Sequence, residues 1–146
     1  MRVEFDEFFR LPVAEVDRYF RTPADWTELY GLATSTEDRG DGWFAVGLAR
    51  FPFPLVAKNT YRKPNRCTRW VFRGFWRGRG EVHLTPEADG VRVRGFEEIS
   101  IRWLFGLSRL VERGFMRREF ERVWSVGWHR LRKRADAAPA VDDARP

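Results

Sequence analysis

The sequence predicts an α+β fold in which a curved antiparallel sheet is gripped by one long C-terminal helix. Three observations carry that expectation. Residues 5–31 read as a strand followed by two short helices, each begun by a proline. Residues 43–99 alternate apolar and polar side chains through short turns, as consecutive antiparallel strands do. Residues 103–134 then repeat large apolar side chains at helical spacing. A sheet gripped in this way encloses space, so the chain is expected to hold something apolar.

Each element follows from its residues. Val3, Phe5, Glu7 and Phe9 share one face of the first strand, opposite Glu4, Asp6, Phe8 and Arg10. Leu11-Pro12 ends it, and Pro12 suits the first turn of a helix, where its missing N–H costs nothing. Val13, Val16 and Phe20 fall on one side of that helix. Thr22 is the N-cap of the second helix, with Pro23 at its first position and Asp25 near the positive end of its dipole. It carries Trp26, Leu29 and Tyr30 and stops at Gly31. STEDRGDG reads as a polar turn region, after which strands are expected at residues 43–50, 55–62 and 68–72, separated by FPFP and KPNR. Residues 74–77 connect to a strand ending at EADG, a hairpin turn in which Gly90 is expected to supply a positive φ. VRVRGFEEI forms the last strand. In the long helix, Leu107, Leu110, Val111 and Gly114 make one stripe, and Phe120, Trp124, Trp128 and Leu131 make another. The two are offset by roughly 120°, which places a kink or break at Gly114. Residues 1–135 are expected to be one domain, and the Ala/Pro/Asp stretch 136–146 a disordered tail.

Composition narrows the classes of function. A chain of 146 residues can bury one core without staples, and 43% apolar content excludes a disordered polymer. Its 13 Phe, 7 Trp and 3 Tyr exceed the needs of a compact core and would make good walls for a ligand site. Cys67 is the sole cysteine, so no intrachain disulfide and no cysteine-based metal site is available. His83 and His129 lie in no ligand-spaced motif, and no metal or cofactor is expected. No stretch reaches about 18 uncharged apolar residues, and MRVEFDEFF lacks the apolar core of a signal peptide, so a soluble, cytoplasmic protein is expected. The formal charge is +6, carried by 24 Arg and 3 Lys, and residues 136–146 contribute −2 of it. Such a charge either attracts an anionic partner or serves solubility alone.

The strand-then-LPVAEVDRYF block, the following TPADWTELYG, the VHLTPEADGVRVR hairpin and the C-terminal helix together resemble the START/polyketide-cyclase superfamily (SRPBCC), the helix-grip fold. The resemblance covers residues 3–134. It implies a seven-stranded sheet wrapped around the long helix with a cavity between them. It also implies ligands of the lipid, sterol, quinone, polyketide or plant-hormone-like kind. A minority of the superfamily are cyclases or aromatases, so a polyketide cyclase/dehydratase-type enzyme is the alternative it implies. One fold hosts many functions, and the resemblance speaks to architecture before activity.

Strand alternation assigns the side chains that face the cavity. These are Phe5, Glu7 and Phe9; Leu55, Ala57, Asn59 and Tyr61; Thr68, Trp70 and Phe72; and Val91, Val93, Gly95, Glu97 and Ile99. Phe120 and Trp124 from the helix, with Trp26 and Tyr30 near the mouth, complete the expected ligand-binding wall. Glu7, Asn59, Tyr61 and Glu97 are its polar members. A carboxylate in such a wall must pair, protonate or meet water. In the superfamily's topology the first and last strands are neighbours, an arrangement in which Glu7 and Glu97 could share a site as an acid/base pair. The favoured expectation puts one or both carboxylates at the rim, paired with arginine.

The outer faces of the same strands carry Arg69, Arg73, Arg79, Arg92 and Arg94, a candidate surface for an anionic partner. Nucleic acid is disfavoured, because no RNA-binding signature is present and no aromatics interleave with these arginines. No nucleophile is evident: Cys67 has no histidine nearby in sequence, no G-x-S-x-G turn occurs, and the GRG at Arg79 precedes no helix. Binding of a hydrophobic or aromatic small molecule is therefore the leading expectation. A cavity acid/base enzyme comes second and a basic-face binding module third.

Overall fold

The computed structural model of the chain describes residues 1–29, 33–49, 51, 53–101, 114 and 117–137. Strand β1 (Arg2–Phe9) leads into helix α1 (Val13–Asp17), which tightens into a 3₁₀ turn over Arg18–Phe20 and is followed by a second 3₁₀ turn at Asp25–Glu28. Six strands follow: β2 (Ala33–Asp38), β3 (Trp43–Leu48), β4 (Leu55–Lys63), β5 (Cys67–Arg73), β6 (Trp76–Glu87) and β7 (Gly90–Ile101). Helix α2 (Arg117–Ala137) closes the described chain. The sheet runs β1-β7-β6-β5-β4-β3-β2. Every pairing is antiparallel, so β2 to β7 form a meander and β1 returns to lie beside β7. This is the α+β architecture the sequence predicts, with the seven strands that the resemblance implies.

Period-two alternation and the helical stripe meet in one core. Val3, Phe5 and Phe9 of β1, Trp70 and Phe72 of β5, and Val82 and Leu84 of β6 point inward with Val91, Val93 and Ile99 of β7. Phe120, Val123, Trp124, Trp128 and Leu131 of α2 cover them from the other side. Each of these large side chains contributes roughly 1.5–3 kcal/mol by leaving water. The 3₁₀ segment joins the same core, where Leu29 lies against Gly127 of α2. Thr22 and Asp25 tie the turn that leads into it: the Thr22 backbone N–H and hydroxyl donate to the Asp25 carboxylate, and the Asp25 N–H donates to the Thr22 hydroxyl.

Several expectations need correction. β2 falls in the stretch read as a polar turn; it is a sheet edge, exposed along most of its length, so no apolar alternation announces it. The second helix is a single 3₁₀ turn whose N-cap is Ala24, with no side-chain cap, and not Thr22; Thr22 closes the turn before it by accepting from the Asp25 N–H at its carbonyl. Pro12 stands one residue outside α1 as its N-cap. β6 starts at Trp76, inside the expected connection, since the indole of Trp76 is buried in the core and donates to the Phe53 carbonyl. Gly90 has no positive φ. It is needed for space, because a Cβ there would stand 2.0 Å from the Phe9 carbonyl oxygen. The leading stripe of the long helix, residues 103–113, lies outside the described residues, as do the neighbours of Gly114 and residues 138–146 of the expected tail. Among the described residues no helix is long and apolar enough to cross a membrane.

Candidate functional site

The predicted wall is built mostly of rings, in three clusters. Phe5 packs on Trp124 and Trp128 at centroid distances of 4.8 and 5.3 Å, and Phe9 reaches Trp128 at 5.7 Å. Across the sheet, Trp26 from the 3₁₀ turn meets Trp70 edge-on at 5.1 Å and Phe72 at 6.3 Å. Phe120 joins Phe51 and Trp76 at 5.6 and 5.7 Å. Phe5, Phe9, Trp26, Trp70, Phe72, Phe120 and Trp124 are all buried. Tyr30 lies outside the described residues.

The polar members separate. Glu7 pairs with Val93 and Glu97 with Val3, so the two share a face but stand four residues apart along the strands. At about 3.4 Å per residue that is about 14 Å, and no carboxylate dyad forms. Glu7 instead accepts from Arg132 of α2 at the rim. It lines an open groove of about 270 Å³ between β1 and α2, with Phe5, Trp124 and Trp128 among the walls. Asn59 holds its place on the inner row, but its amide donates to the Phe20 and Arg21 carbonyls and latches the end of the first 3₁₀ turn to β4. Tyr61 does not face inward. An irregularity between Asn59 and Tyr61 shifts the register, so Tyr61 pairs with the outward Arg69 and its side chain is 48% exposed. Arg62 takes the inward direction and forms an ion pair with the buried Asp17 of α1.

Glu97 is the group the fold buries most conspicuously. One register row crosses the sheet through Asn59, Trp70, Gly80, Glu97 and Val3. The Trp70 indole lies flat over Gly80: a Cβ at that glycine would be 2.4 to 2.6 Å from Cε2, Cζ2 and Nε1. The indole is thereby carried across β6 toward β7. Glu97 is only 3% exposed and Trp70 1%. Oε2 of Glu97 and Nε1 of Trp70 have no hydrogen-bond partner among the described residues. Burial pushes the Glu97 carboxyl up from 4.5 to about 8, against a hydrogen bond from Trp124 that pulls it down. Near neutral pH this group is a protonated acid, able to donate one hydrogen bond and accept another.

Other chemistry finds little here. Burial raises the Cys67 thiol, which keeps it from acting as a thiolate. Among the described residues no cluster of three His, Cys, Asp or Glu side chains is placed to hold a metal. The outer arginines are largely matched by acids. Arg69 bonds Glu81, Arg79 bonds Glu98, and Arg92 and Arg94 both bond Asp6. Arg92 and Arg94 hold the Asp6 carboxyl below its ordinary range, as Arg79 and Arg2 do that of Glu98. Arg73 stacks on the ring of Trp43 at 3.9 Å.

Sequence reasoning missed Gly80, Trp76 and Trp128 as parts of this wall. The signal for Gly80 was present in its phase: it falls on the inner face of β6, in step with Trp76, Val82 and Leu84, where a missing side chain makes room for a ring.

No family model matches the chain, and no curated protein matches it in sequence. Solved structures do match in fold. A conserved protein from Geobacillus kaustophilus aligns with a TM-score of 0.73 at 13% identity, over 94% of this chain and 96% of the other. A protein from Thermus thermophilus aligns at 0.69 and 15%, over 96% and 100%. The Aha1 dimer from Colwellia psychrerythraea aligns at 0.68 and 11%, over 96% and 99%. At these identities the likeness concerns architecture alone: the chain is similar to helix-grip-like α+β proteins.

Proposed function

We propose that the protein binds a largely apolar small molecule between the sheet and the C-terminal helix, as a binding or carrier protein of the START/SRPBCC kind. The observation that carries this reading is Glu97, a carboxyl buried among aromatic rings with one oxygen unpartnered. Burying such a group costs several kcal/mol, and perturbed acids in ring-lined interiors are functional-site candidates. The aromatic lining supplies area for a lipid-, polyketide- or quinone-like ligand.

A polyketide cyclase/dehydratase-type activity is the second reading, favoured by a Glu97 pKa of about 8, which suits a general acid near neutrality. It lacks the Glu7 partner it would have drawn on. Docking of an anionic partner on the outer face has less support, because Arg69, Arg79, Arg92 and Arg94 already have carboxylate partners.

Native mass spectrometry of freshly purified protein, followed by denaturing extraction, tests the first reading. A co-purified apolar molecule released on denaturation is the expected result. A clean apo mass, together with failure to bind 2-naphthol and 2-methylnaphthalene in equilibrium dialysis, overturns it. Turnover of an extracted molecule that stops in Glu97→Gln, with binding retained, would move the assignment to the enzyme.

A further inference from the structure

We infer that the ligand carries an uncharged hydroxyl group, a phenol or an alcohol, whose oxygen is held between the Trp70 indole N–H and the Glu97 carboxyl. The inference rests on the binding function proposed above and names the chemistry that the site reads.

The geometry consists of two polar atoms on one row. Trp70 and Glu97 flank Gly80, two strand spacings apart, about 10 Å between their Cα atoms. The Trp70 indole covers the first of those spacings because Gly80 has no side chain. Nε1 of Trp70 and Oε2 of Glu97 are both buried and both unpartnered among the described residues. A buried donor or acceptor left unmade costs far more than a made bond contributes, so a site of this kind selects the group that completes it.

Three ligand chemistries fail that requirement. An amine presents a cation to an indole N–H, a donor facing a donor. A carboxylate or phosphate brings an anion beside a carboxyl in an interior where no lysine or arginine of the described residues is buried. A plain hydrocarbon leaves both protein atoms unpartnered. A ketone oxygen can accept from Trp70, yet it serves Glu97 only while that group is protonated. A hydroxyl completes the site in either state: it accepts from Trp70 and donates to a carboxylate oxygen, or accepts from both. The surrounding rings of Phe5, Trp26, Trp70 and Trp124 suit the apolar remainder of such a molecule.

The test is equilibrium dialysis of the full chain against 2-naphthol, its near-isosteric hydrocarbon 2-methylnaphthalene, and 2-naphthoate. The expected result is at least tenfold tighter binding of 2-naphthol than of either comparison probe. In Trp70→Phe, which keeps a ring over Gly80 but removes the N–H, that preference should fall severalfold. In Glu97→Leu it should vanish while 2-methylnaphthalene still binds. If Glu97→Leu does not fold, Trp70→Phe decides alone. Equal affinity for the naphthol and the hydrocarbon overturns the inference and leaves the binding function standing; it is the result expected if a water already bridges the two atoms. A naphthol preference that survives both substitutions places the reading group elsewhere and also overturns it. Binding of neither 2-naphthol nor 2-methylnaphthalene overturns the inference together with the function it rests on.

Discussion

The two faces of this sheet are made by alternate residues of the same strands, yet they solve opposite problems. On the outer face, charge is abundant and handled in water. Asp6 accepts from Arg92 and Arg94, Glu98 from Arg79 and Arg2, and Glu81 from Arg69 and His83. Each pairing joins exposed groups, where solvent and salt screen the interaction to little net effect. On the inner face of the same strands the carboxyl of Glu97 stands buried among rings, away from the rim where Glu7 meets Arg132. Dehydration there pushes its pKa up to about 8, where the outer carboxylates Asp6 and Glu98 are held below their ordinary range by arginine. The lesson is that a high arginine content need not leave free positive charge, because the outer carboxylates pair with it. The outer charge is largely paired with itself, and the acid that burial perturbs, Glu97, lies inside.

That contrast can be broken most severely from inside. Trp70→Ala should cost about 3–5 kcal/mol, the range for emptying a large aromatic site, because the indole fills the space over Gly80 and packs on Trp26. Chemical denaturation reads it; a loss under 1 kcal/mol would mean the ring is not a core element. Gly80→Ala should follow at about 1–3 kcal/mol, the usual cost of overpacking, since the new methyl overlaps the indole. The double variant Gly80→Ala/Trp70→Ala should then lose less than the sum of the two, a sub-additivity that a thermodynamic cycle measures.

A pH series sharpens the comparison. Between about pH 4.5 and 8 the folded chain keeps a proton on Glu97 that the unfolded chain has released. This group's contribution is therefore complete below pH 4.5 and is lost as pH rises, by about 1.4 kcal/mol per unit, until the folded carboxyl ionises near pH 8. Asp6, Glu81 and Glu98 have lowered pKa values, so their contributions fade in the other direction, as pH falls. The difference in stability between wild type and Glu97→Gln isolates the inner group. It should change steadily from pH 5 to pH 8 and level off above; a flat difference would show that Glu97 titrates as an ordinary carboxyl.

The smallest effect belongs to the outer face. Asp6→Asn removes the shared acceptor of Arg92 and Arg94, and thermal unfolding should scarcely distinguish it from wild type, less so as salt is added. A marked loss of stability would mean that the outer ion pairs act as a structural lattice after all.

How much of this is legible before folding depends on whether a feature belongs to one strand or to two. The inward set Val91, Val93, Glu97 and Ile99 is fixed by alternation within β7, and burial follows it. Phe120, Trp124, Trp128 and Leu131 are likewise set by helical spacing, and all four are buried. Tyr61 obeys alternation too, until the register shift after Asn59 turns it outward and Arg62 inward. β2 escaped notice because an exposed edge needs no apolar face. Glu7 and Glu97 both lie on the predicted face, but their separation is a matter of register between β1 and β7.

By itself the sequence determined the inner and outer faces, the helical stripe and the excess of aromatic side chains, because side-chain direction along a strand or helix repeats with a local period. Only the tertiary structure decided that Glu7 and Glu97 stay apart, that Trp70 lies over Gly80, and that Glu97 loses its water. Those outcomes depend on which residue of one strand stands opposite which of the next, and on what α2 covers. Burial then sets the protonation of a carboxyl, because dehydration penalises its charge, and dehydration is a property of packed surroundings.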